Sequence, residues 1–129
     1  MKRVLDDIIV MAIGSKEWKL MDDFEYHVGF ASSLEVIVIP TGFETDFASI
    51  PKVFHSFINP AGKVRAAALV HDYLYSKRGV LPHKTYTRKE CDEIFLELMQ
   101  VVGVAYWKSL TMYYAVWLFG KSSWNADSK

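Results

Sequence analysis

The first half of the chain alternates apolar and polar residues in short runs. In "EWKLMDDFEYHV", residues 17–28, apolar side chains recur at every second position, which is the period of a half-buried β-strand. Asp22 and Asp23 interrupt the alternation and predict a turn between two strands. The runs "DIIVMAI", residues 7–13, and "LEVIVIP", residues 34–40, predict two more strands. We therefore expect a small antiparallel sheet region at the N-terminus.

The second half has the pattern of helices. Residues 62–76, "GKVRAAALVHDYLYS", are strong helix formers and are apolar on nearly every side, which predicts a buried helix. The segment "KRGVLPHKTY", residues 77–86, predicts a loop. Thr87 and Glu90 form a capping-box motif, "TRKE", which predicts the start of a second helix. That helix carries apolar residues at helical spacing: Cys91, Ile94, Phe95, Leu98 and Val102. A third helix is expected to end at Gly120.

Length and composition change this picture little. A chain of 129 residues is long enough for one core, so we predict a single domain of residues 1–129 with an α+β fold. The formal net charge is +0, which disfavours nucleic-acid binding. Cys91 is the only cysteine, and Asp6 and Asp7 interrupt the first apolar run, which makes a poor secretory signal. We expect a cytosolic or intracellularly made protein, without secretion by a signal peptide.

The segment of residues 101–119, "VVGVAYWKSLTMYYAVWLF", is close to membrane-spanning length. Its one charge, Lys108, would lie near the middle of the span, which disfavours a transmembrane helix. The segment is rich in aromatic residues, namely Trp107, Tyr113, Tyr114 and Trp117. A buried helix that also contacts another chain is the better interpretation. That chain is either another protein or a second copy in a homo-oligomer.

The segment "VHDYLY", residues 70–75, places a histidine beside an aspartate in an otherwise apolar helix. Burying either side chain is unfavourable without a polar partner. Asp92 on the next helix is the predicted partner of His71, because antiparallel pairing of the two helices brings them together. A carboxylate bonded to one imidazole nitrogen leaves the other nitrogen as a base for water. Tyr75, one turn beyond His71, could bond the same carboxylate.

Asp72 points about 100° away from His71 on a helix and could then serve another role. Together with Asp46 from the "ETDFASIP" loop, it could supply oxygen ligands for Ca²⁺. Backbone carbonyls near Phe47 and water would complete the shell. Asp46 also fits a simple turn residue that bonds its own backbone.

The motifs "TDFASIP", "HDYLY" and "CDEIF" resemble the calcium-dependent secretory phospholipases of type A(2), especially the small bacterial and fungal kind. The resemblance implies a helix pair in which His71 activates water, Asp92 orients it and Tyr75 supports the dyad. It implies that Asp46, Asp72 and the Phe47 carbonyl bind calcium, which polarises the ester carbonyl of a phospholipid. No covalent intermediate forms in such a reaction. The disulfides of these enzymes have no counterpart, and Ala68 stands where a cysteine usually precedes the "HD".

A longer stretch, residues 36–120, resembles a phage and prophage family catalogued as a domain of unknown function. The resemblance lies in "GFETDFASIP", "AAALVHDYLY", "DEIF" and "VWLFG". It implies no particular activity, but it implies a location in a host cytoplasm or a virion and a phage or host protein as the partner of the aromatic segment. A non-enzymatic virion or host-interaction protein, which keeps the helix pair as a scaffold, is therefore the alternative to a metal-dependent ester hydrolase.

Other interpretations of the same residues stay open. The polar residues could form a structural hydrogen-bond network in the core. The "HD" pair could belong to a His–Asp metal phosphohydrolase, with His55 upstream, although the strand-rich first half disfavours that all-helical fold. Ser49 is expected to be a turn or capping residue. Neither Thr45 nor Ser49 shows a Ser–His–Asp arrangement in the sequence, so nucleophilic catalysis is not expected.

Overall fold

The structure, a computed structural model, describes residues 10–12, 17–30, 32–47, 49–57 and 64–126. The chain divides into two compact units, Met1–Asp46 and Phe47–Lys129. Strands make up the regular structure described in the first unit and helices that of the second, so the predicted α+β class is confirmed. A single domain stays a prediction.

The first unit contains two small antiparallel sheets. Its strands are β1 (Val10–Ala12), β2 (Trp18–Leu20), β3 (Phe24–His27), β4 (Val36–Ile39) and β5 (Glu44–Thr45). One sheet has the order β1-β2-β5, and the other pairs β3 with β4. Of the run predicted as the first strand, residues 7–9 and 13 lie outside the described residues.

The predicted alternation positions the core of the β3–β4 pair. Phe24 lies opposite Ile39 and Tyr26 opposite Ile37, and all four side chains are buried. Because side chains at alternate strand positions share a face, these two cross-strand pairs form one apolar layer. The predicted turn at residues 22–23 does separate two strands. Those strands lie in different sheets, since β2 pairs with β1 and β5.

The second unit is helical. It comprises a 3₁₀ helix (Lys52–Phe57) and the helices α1 (Val64–Ser76), α2 (Arg88–Val101), α3 (Tyr106–Phe119) and α4 (Lys121–Ala126). The three long helices match the prediction, with residues 62–63 outside the described part of the chain. α3 ends at Gly120 as expected, whereas the short α4 was not predicted. Ten of the thirteen residues of α1 are buried, as its apolar pattern predicts.

The loop between α1 and α2 is tightly defined at both ends. Gly79 has a φ of +74°, its N–H donates to the carbonyl of Leu74 at 2.8 Å, and its carbonyl accepts from the N–H of Tyr86 at 2.8 Å. A Cβ at Gly79 would lie 1.9 Å from the carbonyl oxygen of Tyr86, so only glycine fits. At the other end, both bonds of the predicted capping box between Thr87 and Glu90 are present.

α1 and α2 run antiparallel. Tyr75, near the end of α1, contacts Arg88 at the start of α2, and His71, one turn earlier, contacts Phe95 two turns further along α2. The predicted antiparallel helix pair is therefore present. The short loop held by Gly79 is consistent with this arrangement, because short connections join neighbouring antiparallel helices.

α3 buries one side and exposes the other. Its buried residues are Ser109, Met112, Ala115 and Val116. Its exposed large apolar residues are Tyr106, Trp107, Tyr114, Trp117, Leu118 and Phe119. Within the part of the chain that the structure describes, no helix combines the length and apolarity needed to cross a bilayer. The contact of this face with a partner stays a prediction.

Candidate active site

The centre of the site is the pair of His71 on α1 and Asp92 on α2. The imidazole Nε2 lies 2.7 Å from Oδ1 of Asp92, and both side chains are 0 % exposed. The ring of His71 also packs against the rings of Tyr75 at 4.2 Å and Phe95 at 4.7 Å between centroids. These two rings restrict the orientation of the imidazole. The contact between His71 and Asp92 that helix pairing predicts is present.

Tyr75 completes the bonding of the same carboxylate oxygen. Its hydroxyl donates to Oδ1 of Asp92 at 2.7 Å. Burial, reinforced by this hydrogen bond to Asp92, raises the pKa of Tyr75 well above its usual value, so the phenol stays protonated and remains a donor. Oδ1 thus accepts two hydrogen bonds, which is within the capacity of a carboxylate oxygen.

This pattern assigns the tautomer of His71. An ionised carboxylate only accepts hydrogen bonds, so Nε2 carries the ring proton that faces Asp92. Nδ1 is then left with its lone pair and acts as the basic nitrogen. The contacts predicted among His71, Asp92 and Tyr75 are present, and the catalytic roles of these residues stay predictions.

Ser49 lies at the basic nitrogen. Its Oγ is 2.9 Å from Nδ1 of His71, and its backbone N–H donates to Oδ1 of Asp72 at 3.2 Å. His71 therefore binds the side chain of Ser49, and its neighbour Asp72 binds the backbone of Ser49. Ser49 is 1 % exposed and Asp72 is 5 % exposed, so both bonds are buried.

The expectation that no Ser–His–Asp arrangement exists is wrong as geometry. Ser49, His71 and Asp92 form one continuous hydrogen-bonded chain. The sequence did not indicate it, because the path of the loop between Pro40 and Pro51 determines where Ser49 lies. The only local signal was a serine within a segment of turn-forming residues, which fits many ordinary loops.

The backbone next to Ser49 is strained. Phe47 has a φ of +58°, in the left-handed region that a bulky side chain rarely adopts. Its carbonyl accepts the N–H of Ile50 at 3.0 Å, which closes a turn around Ser49. Non-glycine residues in this conformation cluster at functional sites, where surrounding contacts hold them in place.

Arg88 was not singled out from the sequence, although its i,i+4 spacing to Asp92 was a signal. Its Nη1 lies 3.7 Å from Oδ2 of Asp92, and its Nη2 donates to the carbonyl of Trp117 at 2.6 Å. No hydrogen bond to Oδ2 of Asp92 is found among the described residues. The guanidinium therefore balances the buried carboxylate by charge, while its hydrogen bonds go to the Tyr75 hydroxyl and to the end of α3. Gly120 packs closely against Tyr75, since a Cβ at this position would lie only 2.9 Å from the Tyr75 hydroxyl.

The predicted calcium ligands have other contacts. Oδ1 of Asp72 accepts the Ser49 N–H, and the carbonyl of Phe47 accepts that of Ile50. Asp46 is exposed and is the last residue of the first unit. Among the described residues, no group of three or more His, Cys, Asp or Glu side chains is placed to hold a metal ion. A calcium site stays a prediction. The side chain of His55 lies outside the described residues.

Comparison with known proteins identifies the family. Over 93 residues, 70% of this chain, it is 33% identical to "Uncharacterized protein y4jT" of Sinorhizobium fredii (strain NBRC 101917 / NGR234). The match covers 26% of that relative, so this chain spans about a quarter of its length. No solved structure matches the chain. Residues 18–116 match the family described as "Protein of unknown function (DUF1353)", and the chain belongs to this family.

Proposed function

We propose that this protein is a hydrolase that cleaves an ester with His71 as the general base. The observation that carries the proposal is the 2.7 Å bond between Nε2 of His71 and Oδ1 of Asp92. It presents Nδ1 as a base of fixed orientation, which is what removal of a proton from an attacking water requires. General bases in such positions accelerate proton transfer about 10²–10⁴-fold.

The resemblance of "HDYLY" and "CDEIF" to the type A(2) phospholipases supports a lipid ester as the substrate class. In both patterns a tyrosine one turn after the histidine supports the orienting aspartate. Calcium is proposed as the accompanying ion through Asp46, Asp72 and the carbonyl of Phe47. It would polarise the ester carbonyl when bound.

The test is ester hydrolysis by the purified chain. Three substrates are used: phosphatidylglycerol vesicles, phosphatidylcholine vesicles and p-nitrophenyl butyrate. Each is incubated with the parent or with one of the variants His71→Ala, Asp92→Asn, Tyr75→Phe and His83→Ala, in the presence of either calcium or a chelator. We expect His71→Ala to lose at least about a hundredfold in rate. His83→Ala is the matched control, because His83 bonds Tyr86 in the α1–α2 loop.

A parent that hydrolyses none of these esters overturns the proposal, as does a His71→Ala variant with the parent's rate. Circular dichroism of each variant separates lost chemistry from lost folding. Asp92→Asn is informative because it retains the size of the side chain while removing its charge.

A second candidate is a non-enzymatic phage virion or host-interaction protein in the virion or the host cytoplasm. Two observations favour it. Ser49, His71 and Asp92 are between 0 % and 1 % exposed, as in a structural core network. The exposed face of α3 includes Trp107 at 69% and Leu118 at 60% exposure, which suits a protein contact. A stable oligomer in light scattering, together with inactive parent protein, would support this candidate.

A further inference from the structure

We infer that Ser49 is the nucleophile of the proposed hydrolase, so that ester cleavage passes through an acyl–Ser49 intermediate. The inference rests on the proposed function and changes its mechanism from direct attack by water. It starts from the position of Oγ, 2.9 Å from Nδ1 of His71, which is the nitrogen left basic by the bond to Asp92. A nucleophile within hydrogen-bond reach of a base that a third group orients is the signature of covalent catalysis.

The second step concerns what competes for Nδ1. A nitrogen with one lone pair accepts one strong hydrogen bond, and Ser49 already supplies it. An attacking water would first have to displace this hydroxyl. Because the Ser49 N–H is also bound to Asp72 at 3.2 Å, the serine is held at two points and stays in place. Asp72 thus acts as a positioning residue for Ser49.

The third step concerns the backbone. The turn from Phe47 to Ile50 places Ser49 against α1, and Phe47 adopts a positive φ in this turn. In the nucleophile elbow of α/β-hydrolases the serine itself occupies a strained turn, whereas here the strained residue is Phe47, two positions before Ser49. An ordinary capping or turn serine would bond a backbone group nearby in sequence. Ser49 instead bonds a side chain 22 positions away.

The chemistry balances without any further reactant besides water. Oγ of Ser49 bonds to the ester carbonyl carbon as its proton passes to Nδ1 of His71. The tetrahedral intermediate then expels the alcohol, which takes that proton, and leaves the acyl group on Oγ. Water attacks the acyl carbon, gives a proton to Nδ1, and the carboxylic acid departs as Oγ recovers the proton. One ester and one water become one acid and one alcohol.

Burial defines how a substrate reaches Ser49. With 1 % exposure, Oγ of Ser49 meets a reagent only after a local opening of the fold. Acylation should therefore level off as reagent concentration rises, at the rate of this opening.

The experiment measures covalent labelling and turnover separately. Intact protein is treated with diisopropyl fluorophosphate, which forms a Ser–O–P bond with loss of fluoride, and the modified peptide is located by mass spectrometry. We expect one adduct, on Ser49, in the parent and in the control Ser76→Ala. Ser76 is a suitable control because its hydroxyl bonds the backbone of Tyr73. We expect no adduct in Ser49→Ala and at least about a hundredfold slower labelling in His71→Ala.

Turnover of p-nitrophenyl acetate is followed in the same samples. A burst of about one p-nitrophenol per protein, with an acetyl group on Ser49, supports the inference. Hydrolysis that needs His71 but continues in Ser49→Ala, with Ser49 unlabelled in the parent, overturns it and leaves the proposed function standing. Absence of turnover in the parent, both of p-nitrophenyl acetate and of the esters used to test the proposed function, overturns the proposed function. Absence of an adduct on Ser49 in the parent overturns the inference even if Ser49→Ala fails to fold.

Discussion

The hydroxyl of Tyr75 donates a hydrogen bond at 2.7 Å to Oδ1 of Asp92, and the same oxygen accepts the hydrogen bond from Nε2 of His71. A single buried oxygen therefore holds two side chains of α1 against α2. The bond is charge-assisted, and such bonds contribute more to stability than neutral ones. The site and the interface between these two helices are consequently the same set of contacts.

Tyr75→Phe should lower the free energy of unfolding at pH 7 by about 1.5–3 kcal/mol, because Asp92 loses a buried donor. The pKa of Tyr75 is raised in the folded state, so the folded protein keeps a proton that the unfolded chain releases from about pH 10 upward. The stabilisation from this group is thus fully present below pH 10 and is lost as the pH rises further. Urea unfolding at several pH values should show the difference between parent and variant shrinking above pH 10. Tyr106→Phe, which alters an exposed residue of α3, should change little.

Asp92→Asn should destabilise the fold by about 2–4 kcal/mol, because the amide gives Arg88, His71 and Tyr75 a neutral partner in place of a buried anion. Urea titration at pH 7 measures the change. Glu93→Gln on the exposed side of the same helix makes the same chemical change in solvent and should stay within about 0.5 kcal/mol of the parent. Equal effects of the two substitutions would contradict a buried ionic centre.

Gly79→Ala should lower stability by about 3 kcal/mol or more, since the new Cβ would lie 1.9 Å from the backbone oxygen of Tyr86. Gly29→Ala is the control: Gly29 also has a positive φ, of +90°, but nothing lies within 4 Å of an added Cβ. Its loss should be limited to the strain of the left-handed conformation, about 1–2 kcal/mol. Thermal unfolding of both variants compares them. Similar losses would show that the contact with Tyr86 is relieved without difficulty.

Cys91 should react with Ellman's reagent only when the protein opens. The thiol is 0 % exposed, and burial followed by the nearby charge of Asp92 raises its pKa well above the usual range. Because it is the only cysteine, the measured rate reports one site. We expect native protein to react at least about a thousandfold more slowly than protein in concentrated urea. Fast reaction of the native protein would place Cys91 outside a packed core.

Features set by local rules were predictable from the sequence. The capping box of Thr87 and Glu90 involves residues three positions apart, and its bonds follow from helix geometry. The contact between His71 and Asp92 was within reach too, because two periodic helices joined by a ten-residue loop have few ways to pair. The buried alternation of β3 and β4 followed from the two-residue period of strands.

Features that depend on distant parts of the chain were not predictable from the sequence. β2 and β3 follow each other closely yet join different sheets, because strand partners depend on which edges meet across the unit. The approach of Ser49 to α1 depends on the strained turn at Phe47, and a phenylalanine in the sequence carries no sign of a positive φ. The 3.7 Å approach of Arg88 to Asp92 had a spacing signal, whereas its bonds to the end of α3 had none.

Arg88 gives the carboxyl end of α3 an influence that extends beyond its own packing. Its guanidinium binds the carbonyl of Trp117 at 2.6 Å and stands 3.7 Å from Oδ2 of Asp92. The partial negative charge of the last helical turn and the full charge of the carboxylate therefore share one cation. In a chain truncated ahead of Trp117, the guanidinium of Arg88 would lose this carbonyl and would interact with Asp92 alone of the two. The charge balance around Asp92 would then change, although every atom of the dyad had been left intact.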